Sequence, residues 1–414
     1  MNEINASLQT SKKPTIWNKT FVCIMLAQAF WTFSTGVVNI LLARYSRDVL
    51  GASPVLMGNL VGLSFAVGLA MRPVSGPMQT KLNKRNLLIG CYILTGIAHI
   101  GNVRFNTTNA FVLFRVLQGV QLAFSGSLTM TLVADSLPRE MMATGVAMYA
   151  LGGSVSGMVA PNIGVWLRDM GPMLQEGPAG IMLGYQLAFV VATVAIVLGL
   201  IPLFLIPNKK EEKEEVANAG VWYKDIVSHH AIPVTVVIML SSIASSAYRN
   251  YLDPFANEVG IPNIGLFSSV TAFTNIFTRM FSGRLIDRYG IKKLFPMGMV
   301  VVAAAIIVIV NSRTLPVVLI GSFLSAVGNG FVTPGLQAML VQTETPARRA
   351  VASNTLFAGN DLAGYLGPLF GGIVASYFSF STTILFGLVP LALSVVWFFM
   401  MLPGYNRRRA ELEA

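Results

Sequence analysis

The sequence predicts an all-α membrane protein whose twelve transmembrane helices form two pseudo-symmetric six-helix bundles. Of its 414 residues, 54% are hydrophobic and 11% are charged, and the mean hydropathy is +0.65. These values lie outside the range of soluble domains. Apolar runs of bilayer-spanning length recur along the chain. Two basic turns that begin Arg-x-x-Ser-Gly lie 207 residues apart, at Arg72 and Arg279, which indicates two homologous halves.

Twelve segments have the roughly 20 mainly apolar residues that a spanning helix needs. They are residues 21–43, 54–76, 87–105, 109–133, 144–167 and 181–206 in the first half, and 231–254, 261–283, 294–311, 315–341, 350–378 and 381–402 in the second. We therefore expect two bundles, 21–206 and 231–402, joined by a charged linker, 207–230, and flanked by tails, 1–20 and 403–414. The other connections are short, so successive helices are expected to be antiparallel neighbours.

The distribution of Lys and Arg predicts the orientation. Twenty basic residues lie on the side of the N-terminus and five on the opposite side. Because basic loops stay in the cytoplasm, we expect a multi-pass protein of the cell membrane with both termini cytoplasmic. The net charge of +11 is concentrated in these turns, so its expected partner is the lipid surface of the bilayer and not nucleic acid.

The 207-residue offset continues through whole helices. It relates Arg72 to Arg279, Gly76 to Gly283, Gly157 to Gly364, Pro161 to Pro368, and Gly164 to Gly371. A register without gaps indicates a parallel duplication about an axis along the membrane normal, with a central cavity between the halves.

Several motifs resemble those of the major facilitator superfamily, and the resemblance covers essentially the whole chain. GRLIDRYGIKK at 283–293 is similar to the family's signature between the second and third helices of a half, and FRVLQG at 114–119 resembles its fourth-helix signature. AGYLGPLFGG at 363–372 resembles the Gly-Pro-rich fifth-helix signature associated with antiporters, and SGMVAPNIG at 156–164 is a weaker copy. The resemblance implies a secondary transporter that works by alternating access, and not an enzyme.

The first-half basic turn departs from this pattern, because it has Thr80 and Asn83 where the second-half turn has Asp287 and Gly290. The resemblance implies that the acid braces the cytoplasmic side against the start of a helix in the other half. A carboxylate in that position typically gains about 0.3–1 kcal/mol. We therefore expect an asymmetric gate, with Asp287 facing Arg139. The alternative is that the basic residues merely set topology. The expected gating residues are Gly76, Thr80, Arg139, Gly283, Arg284, Asp287 and Arg288.

Asp361 lies near the middle of the eleventh predicted helix and is the leading candidate for proton coupling. An ionisable side chain at this depth costs at least about 2.5 kcal/mol on insertion scales, which makes it a functional candidate. A carboxylate that is desolvated in one state and hydrated in another can take up a proton and release it. The alternative is a permanent pairing with Asn360, Asn354 or an arginine.

Two arginines also lie within predicted helices: Arg115 in the fourth and Arg249 in the seventh. The resemblance implies a part in proton handling for Arg115, and its guanidinium can also hold a carboxylate or sulfate with two hydrogen bonds. The alternative for Arg115 is packing with its head at the outer surface. Arg249 is either a solute contact or a snorkelling or gating residue. Two cations facing the cavity against one acid would favour an anionic or amphipathic solute over a cationic drug.

In the family that the sequence resembles, the first, fourth, seventh and tenth helices line the pathway. Besides Arg115 and Arg249, the expected solute contacts on these helices are Gln28, Trp31, Asn39, Gln118, Gln121, Asn329 and Gln337. Each of these residues is also a candidate for an interhelical hydrogen bond. Cys23, Cys91 and His99 lie in apolar runs without the spacing of a metal site, so we expect neither a metal nor a cofactor.

The favoured function is proton-coupled efflux of a small organic solute by antiport, because the Gly-Pro signature occurs in both halves and Arg115 matches the antiporter motif. The alternative is uptake or facilitated transport of an organic anion such as a carboxylate, which rests on Arg115, Arg249 and the degenerate first-half turn. ATP-driven pumping is excluded because the chain has no P-loop. A receptor or scaffold is disfavoured because nothing outside the spans is large enough to signal. The expected partners are a solute, protons and the bilayer, and we expect a monomer.

Overall fold

The described residues of a computed structural model, 16–137, 141–207, 227–344 and 348–413, form fourteen α-helices. The first half contains α1 (Lys19–Asn39), α2 (Leu42–Asp48), α3 (Pro54–Lys81), α4 (Lys84–Arg104), α5 (Thr108–Ser136), α6 (Met142–Leu174) and α7 (Gly177–Leu205). The second half contains α8 (Ile232–Val259), α9 (Leu266–Tyr289), α10 (Ile291–Val310), α11 (Leu315–Gln342), α12 (Arg349–Tyr377), α13 (Phe380–Phe386) and α14 (Leu388–Glu413). Most of the predicted N-terminal tail and linker lies outside the described residues.

These helices correspond to twelve spans, because α1 continues into α2 after a break at Ile40 and Leu41, and α13 continues into α14 after Gly387. The predicted all-α membrane architecture is therefore confirmed. Within the described part of the chain, nine segments are long and apolar enough to cross a membrane. The other long helices are α6, α9 and α12. They are also helices that pack against the opposite half.

The described chain begins and ends on the same side, because it crosses an even number of times. We call this side the terminal face and the opposite side the distal face. The largest cluster of buried apolar side chains contains residues of both halves, including Tyr45 and Tyr251. A second cluster, which includes Phe21 and Leu88, lies within the first half. The shared cluster shows that the two bundles pack as parts of one molecule.

The duplicated basic turns have different backbone conformations. Gly290 joins α9 to α10 with φ +73°, a left-handed conformation that glycine adopts without steric cost. At the equivalent position Asn83 has φ −61°, and its side-chain oxygen accepts a hydrogen bond of 3.1 Å from the N–H of Asn86. The first-half copy therefore starts α4 with a side-chain cap instead of a glycine turn.

Two pseudo-symmetric interfaces join the halves. In sequence, the 207-residue offset relates α3 to α9 and α6 to α12. In the structure, α3 packs along α12 and α6 packs along α9. Each interface thus pairs the second span of one half with the fifth span of the other, as a parallel duplication requires.

A close backbone contact is repeated in both interfaces. A Cβ at Gly58 would clash with the carbonyl oxygen of Pro368, and a Cβ at Gly265 would lie 2.8 Å from the Cα of Asn162 and 3.1 Å from the carbonyl oxygen of Pro161. The offset relates Gly58 to Gly265 and Pro368 to Pro161. Because small residues let helix backbones approach closely, the paired contacts hold the distal parts of the two bundles together.

The same equivalence continues one turn further towards the terminal face. Gly62 packs against Tyr365, and at the equivalent positions Ser269 donates a hydrogen bond to the carbonyl oxygen of Met158. Asn162 donates to the Ser269 hydroxyl from the same helix. At this level the two interfaces therefore differ in chemistry: Gly62 makes a close contact with Tyr365, whereas Ser269 is hydrogen-bonded to Met158.

We expect Gly58→Ala to lower the thermal unfolding midpoint of the purified protein, because the new methyl group would meet the Pro368 carbonyl oxygen. Overpacking typically costs about 1–3 kcal/mol. Gly90→Ala is the matched control, since a Cβ at Gly90 in α4 meets nothing within 4 Å and alanine is favoured over glycine in helices. The control should keep or raise the midpoint. Equal midpoints in the two variants would show that the contact does not constrain the halves.

Candidate functional site: a central cavity and its ion pairs

A polar cavity lies between the two halves. Its larger part, about 520 Å³, is lined by α8, α9, α11 and α12, and its smaller part, about 320 Å³, by α1, α6, α8 and α9. Both parts are lined by Arg249, Thr271 and Asn275, so they form one central cavity. Its volume suits a small organic molecule. Hydroxyl and amide side chains supply most of the larger part's lining, among them Ser241, Ser242, Ser325, Asn329, Gln337 and Asn360.

Arg249 brings a positive charge to the junction of the two parts. Its side chain is exposed and lines both. In the described part of the chain it has no ion-pair partner, and no Asp or Glu lines the central cavity. The cavity therefore presents a cation, hydroxyl groups and amides to a solute.

A smaller cavity, the side chamber, lies within the first half. Its volume is about 100 Å³, and its polar lining includes Trp31, Thr95, His99, Arg115, Gln118 and Gln121. Thr35 and Asn39 line both the side chamber and the central cavity. The side chamber is thus a recess that opens from the central cavity and is too small for a drug-sized solute.

Arg115 is buried against α3 and does not reach the membrane surface. It is 3% exposed. Its Nε donates to the carbonyl oxygen of Leu60 over 2.9 Å, its Nη1 donates to Oε1 of Gln118 over 2.7 Å, and its Nη2 donates to the carbonyl oxygen of Val61. These bonds fix the guanidinium in the wall of the side chamber. They explain why arginine and glutamine occur together in the fourth-helix motif of this chain.

Asp361 forms an ion pair across the boundary between the halves. Its Oδ2 accepts a hydrogen bond of 2.6 Å from Nε of Arg72, and the two side chains are 8% and 11% exposed. The guanidinium of Arg72 also lies 5.1 Å from the ring centroid of Phe357. Pairing with an arginine was one alternative for Asp361, and the partner belongs to α3 of the other half. The carboxylate therefore links α12 to α3.

A second cluster of charges joins the halves near the distal face. Nη1 of Arg168 in α6 lies 2.8 and 2.7 Å from the two carboxylate oxygens of Asp253 in α8. Both side chains are buried. Arg44 of α2 lies 3.8 Å from Asp253 and 3.0 Å from Asp48. Removing one partner of such a buried pair typically costs about 3–5 kcal/mol, so Asp253 is a strong electrostatic link on the distal side.

These contacts place the closed end of the central cavity on the distal side. The contacts named between the halves lie between the distal face and the level of Arg72 and Asp361. The larger part of the cavity extends to Ile238 and Gln337, close to the ends of α8 and α11 on the terminal face. In this conformation the halves are therefore in contact on the distal side, and the central cavity extends towards the terminal face.

Most of the expected solute contacts line either the central cavity or the side chamber. Asn39 lines both, Asn329 and Gln337 line the central cavity with Arg249, and Trp31, Gln118 and Gln121 line the side chamber with Arg115. Gln28 lies outside these linings and donates a hydrogen bond of 3.2 Å to Oγ1 of Thr32. The structure thus divides the expected contacts between two spaces instead of bringing them to one.

The expected gating residues are described only in part. Arg284, Asp287 and Arg288 are exposed at the end of α9 on the terminal face, and within the described residues Asp287 has no ion-pair partner. Gly283 lies on α9, and Gly76 and Thr80 lie on the equivalent helix α3. Arg139 lies outside the described residues. The asymmetric gate therefore stays a prediction.

A search of the sequence for ionisable residues near the membrane midplane does not identify Arg72. It also does not identify the cluster of Asp253, Arg168 and Arg44. In the sequence Arg72 is a repeat marker, and its position inside the predicted span 54–76 is the signal of its depth. In the structure it lies nine residues before the end of α3. Asp253, Arg44 and Arg168 lie at or next to the ends of predicted spans. Their opposite charges on the same expected side were the signal that they could pair.

Metal binding finds no support in the part of the chain that the structure describes, where no group of three or more His, Cys, Asp or Glu residues is placed to hold an ion. Cys23 and Cys91 are free and buried.

Comparison with known proteins identifies the family and the fold. The family model described as Major Facilitator Superfamily matches residues 20–248 and 234–414. Staphylopine export protein of Staphylococcus aureus is 20% identical over 87% of this chain and 90% of its own length. The multi-drug resistance efflux pump PmrA homolog of Lactococcus lactis is 22% identical over 96% of this chain and 98% of its own.

A bacterial homolog of the human lysosomal transporter Spinster, solved in an inward-facing and unoccupied conformation, has a similar fold. The TM-score is 0.77 with 15% sequence identity, over 94% of this chain and 98% of that one. A D-xylose-proton symporter has a TM-score of 0.73 with 14% identity, over 92% and 96%. At these identities the likeness concerns the fold alone.

We expect Asp253→Asn to open the distal side. Arg168 and Arg44 would lose the buried carboxylate that links them to α8. The reporter is Thr35→Cys, which lines the central cavity, in a background with Cys23→Ala and Cys91→Ala. A membrane-impermeant thiol reagent added from the distal side should label the Asp253→Asn variant several-fold faster than its parent.

Asp169→Asn is the matched control for this test. Asp169 also pairs with Arg168, but it is 46% exposed and lies in the same half, so its loss should matter little. Equal labelling rates for the parent and Asp253→Asn would contradict a role of Asp253 in distal closure.

Proposed function

Because the chain belongs to the major facilitator superfamily, we propose that this membrane transporter exports a small organic solute in exchange for protons by alternating access. The observation that carries the proposal is the buried ion pair of Asp361 and Arg72, which joins the two halves. The bundles 21–206 and 231–402 would move against each other around the central cavity.

The Asp361–Arg72 pair gives a direct way to couple a proton to this motion. The pair ties α12 to α3 in the conformation that is closed on the distal side. A proton on the carboxylate cancels its charge and weakens its hold on the guanidinium. Separation of α3 from α12 on distal opening would leave the carboxylate without its cation, so that it can take up a proton from the distal side. Re-formation of the pair with Arg72 on distal closure would release that proton towards the terminal face, which is the direction that exchange against an exported solute requires. The offset places Ser154 at the position equivalent to Asp361, so the α6–α9 interface has no matching carboxylate at that level.

The other charged contacts would govern closure on each side. Arg168 and Asp253 hold the distal side closed. We propose that Asp287, with Arg139, Arg284 and Arg288, braces the terminal side when the cavity closes there, as the basic turn of the family suggests. The exposure of Asp287 in the conformation described agrees with a brace that engages only in the opposite state.

Export is favoured over uptake by the names of relatives that align along most of the chain, an export protein and an efflux pump. We further propose that the terminal face is cytoplasmic, that the protein resides in the cell membrane, and that it acts as a monomer. The excess of basic residues on that side supports this orientation. An exporter loads its solute in a conformation whose central cavity extends towards the cytoplasm while the halves are in contact on the distal side.

Transport of an organic anion is the second candidate, and Arg249 is the observation that favours it. A guanidinium that has no acidic partner among the described residues, and that lies among hydroxyl and amide groups, suits a carboxylate better than a cationic drug. This candidate concerns the solute and is compatible with either direction of transport.

The coupling proposal predicts that Asp361→Asn uncouples transport from protons. A growth screen of an expressing strain against drugs and organic acids first identifies a solute. Proteoliposomes with a trapped pH-sensitive dye then measure solute-driven proton movement. We expect this movement to fall at least about tenfold, because the variant has no carboxylate at this position to carry the proton, while solute exchange without a pH gradient continues.

Asp135→Asn is the control for this prediction, because Asp135 is an exposed acid paired with Lys84 and should not affect coupling. Proton movement that is unchanged in Asp361→Asn would overturn the proposal that this carboxylate couples transport.

For the second candidate, we expect Arg249→Gln to weaken binding of a carboxylate solute at least about tenfold, because a charge-assisted hydrogen bond is lost. Arg313→Gln, a change of an arginine outside the cavity linings, is the control. Binding to purified protein is measured by calorimetry with each organic acid found in the screen. Affinities that do not differ between Arg249→Gln and the control would exclude Arg249 as the anion contact.

A further inference from the structure

The side chamber contains a positive charge that the described residues do not neutralise. Arg115 is 3% exposed and has no ion-pair partner in the described part of the chain. A guanidinium stays protonated in proteins, and a buried charge without a counter-charge costs several kcal/mol. Its bonds to Leu60, Val61 and Gln118 involve neutral oxygens, which solvate the charge without cancelling it.

The same chamber is lined by buried polar groups that have no hydrogen-bond partner. His99 is 2% exposed and neither of its ring nitrogens is bonded. The indole Nε1 of Trp31 and Oε1 of Gln121 are also buried and unbonded. Because an unsatisfied buried group costs about 1–3 kcal/mol, three such residues around one cavity indicate an occupant.

Most of these groups are donors. Trp31 can only donate, and a neutral His99 carries one N–H. Arg115 has five N–H groups, of which three are used by the bonds to Leu60, Val61 and Gln118. The two that remain, together with Trp31 and His99, suit an acceptor with negative charge.

The volume of the side chamber limits the size of this acceptor. About 100 Å³ is room for a few water-sized particles, since a water takes about 30 Å³ in the liquid. Thr35 and Asn39, at the boundary with the central cavity, give a path of entry. Arg249 in the central cavity would attract anions to that entrance.

We propose that the side chamber binds a small monovalent inorganic anion such as chloride, held by Arg115, Trp31 and His99. A water molecule beside the anion can donate to Oε1 of Gln121. Water alone would satisfy His99, Trp31 and Gln121 but would leave the charge of Arg115 without a counter-ion. The bound anion would link α1, α4 and α5 of the first half. This site does not depend on the identity or direction of the transported solute.

Bromide is a suitable probe, because it resembles chloride and quenches tryptophan fluorescence on contact. The full-length protein in lipid nanodiscs is titrated with sodium bromide against sodium gluconate at constant ionic strength. We expect saturable quenching that disappears in Trp31→Phe and persists in Trp397→Phe, since Trp397 bonds to Pro233 outside the chamber. Chloride, which quenches little, should protect Trp31 from bromide.

His99→Phe tests the donor set. It removes the N–H and fills part of the chamber, and we expect the apparent affinity for bromide to fall at least about tenfold. His230→Phe, at an exposed position near the terminal face, should leave the affinity unchanged.

Quenching that rises linearly without saturation, or that chloride does not relieve, would show a chamber filled with water only and would overturn the proposal. An unchanged affinity in His99→Phe would also overturn the assigned donor set. If His99→Phe does not fold, the chloride competition on the unmodified protein decides alone. None of these measurements uses transport, so a failure of the proposed function would leave their outcome intact.

Discussion

The close approach of two helix pairs, at Gly58 with Pro368 and at Gly265 with Pro161, is the constraint on which the rest of the structure depends. In both contacts the absence of a side chain lets the glycine lie against backbone of the other half. The contacts are equivalent by the 207-residue repeat, so the halves meet symmetrically on the distal side. That symmetric contact leaves a space between the bundles, and the polar groups of the central cavity line it.

Charge breaks this symmetry. Asp361 with Arg72 crosses one interface, whereas the equivalent level of the other has Ser154 in place of the acid. Near the distal face, Asp253 of the second half forms ion pairs with Arg168 and Arg44 of the first. A duplicated scaffold can therefore carry one carboxylate between α12 and α3 and one distal link, because the desolvation of each ion pair costs free energy. The helices α3 and α12, which approach closely at Gly58, are also joined by the ion pair of Arg72 with Asp361.

The two buried or cavity-lining arginines have different surroundings and so different chemistry. Arg249 is exposed to the central cavity, where a solute of moderate size can reach it. Arg115 is enclosed in a recess one-fifth as large as the main part of the cavity, with His99 and Trp31 beside it. Both arrangements favour negative charge, but size separates an organic solute in one from an inorganic ion in the other.

The sequence by itself determined the membrane architecture, the duplication, the family resemblance and the depth of Asp361, because composition and repeated motifs are local properties of the chain. Only the tertiary structure decided the partners. Arg72 lies 289 residues from its partner Asp361 in the sequence. In the sequence His99 is one residue in an apolar run, whereas in the structure it lines the side chamber with Arg115. Successive helix residues point about 100° apart, so contacts depend on how long helices are rotated and packed. That rotation is set by close contacts between distant segments, such as Gly58 against Pro368.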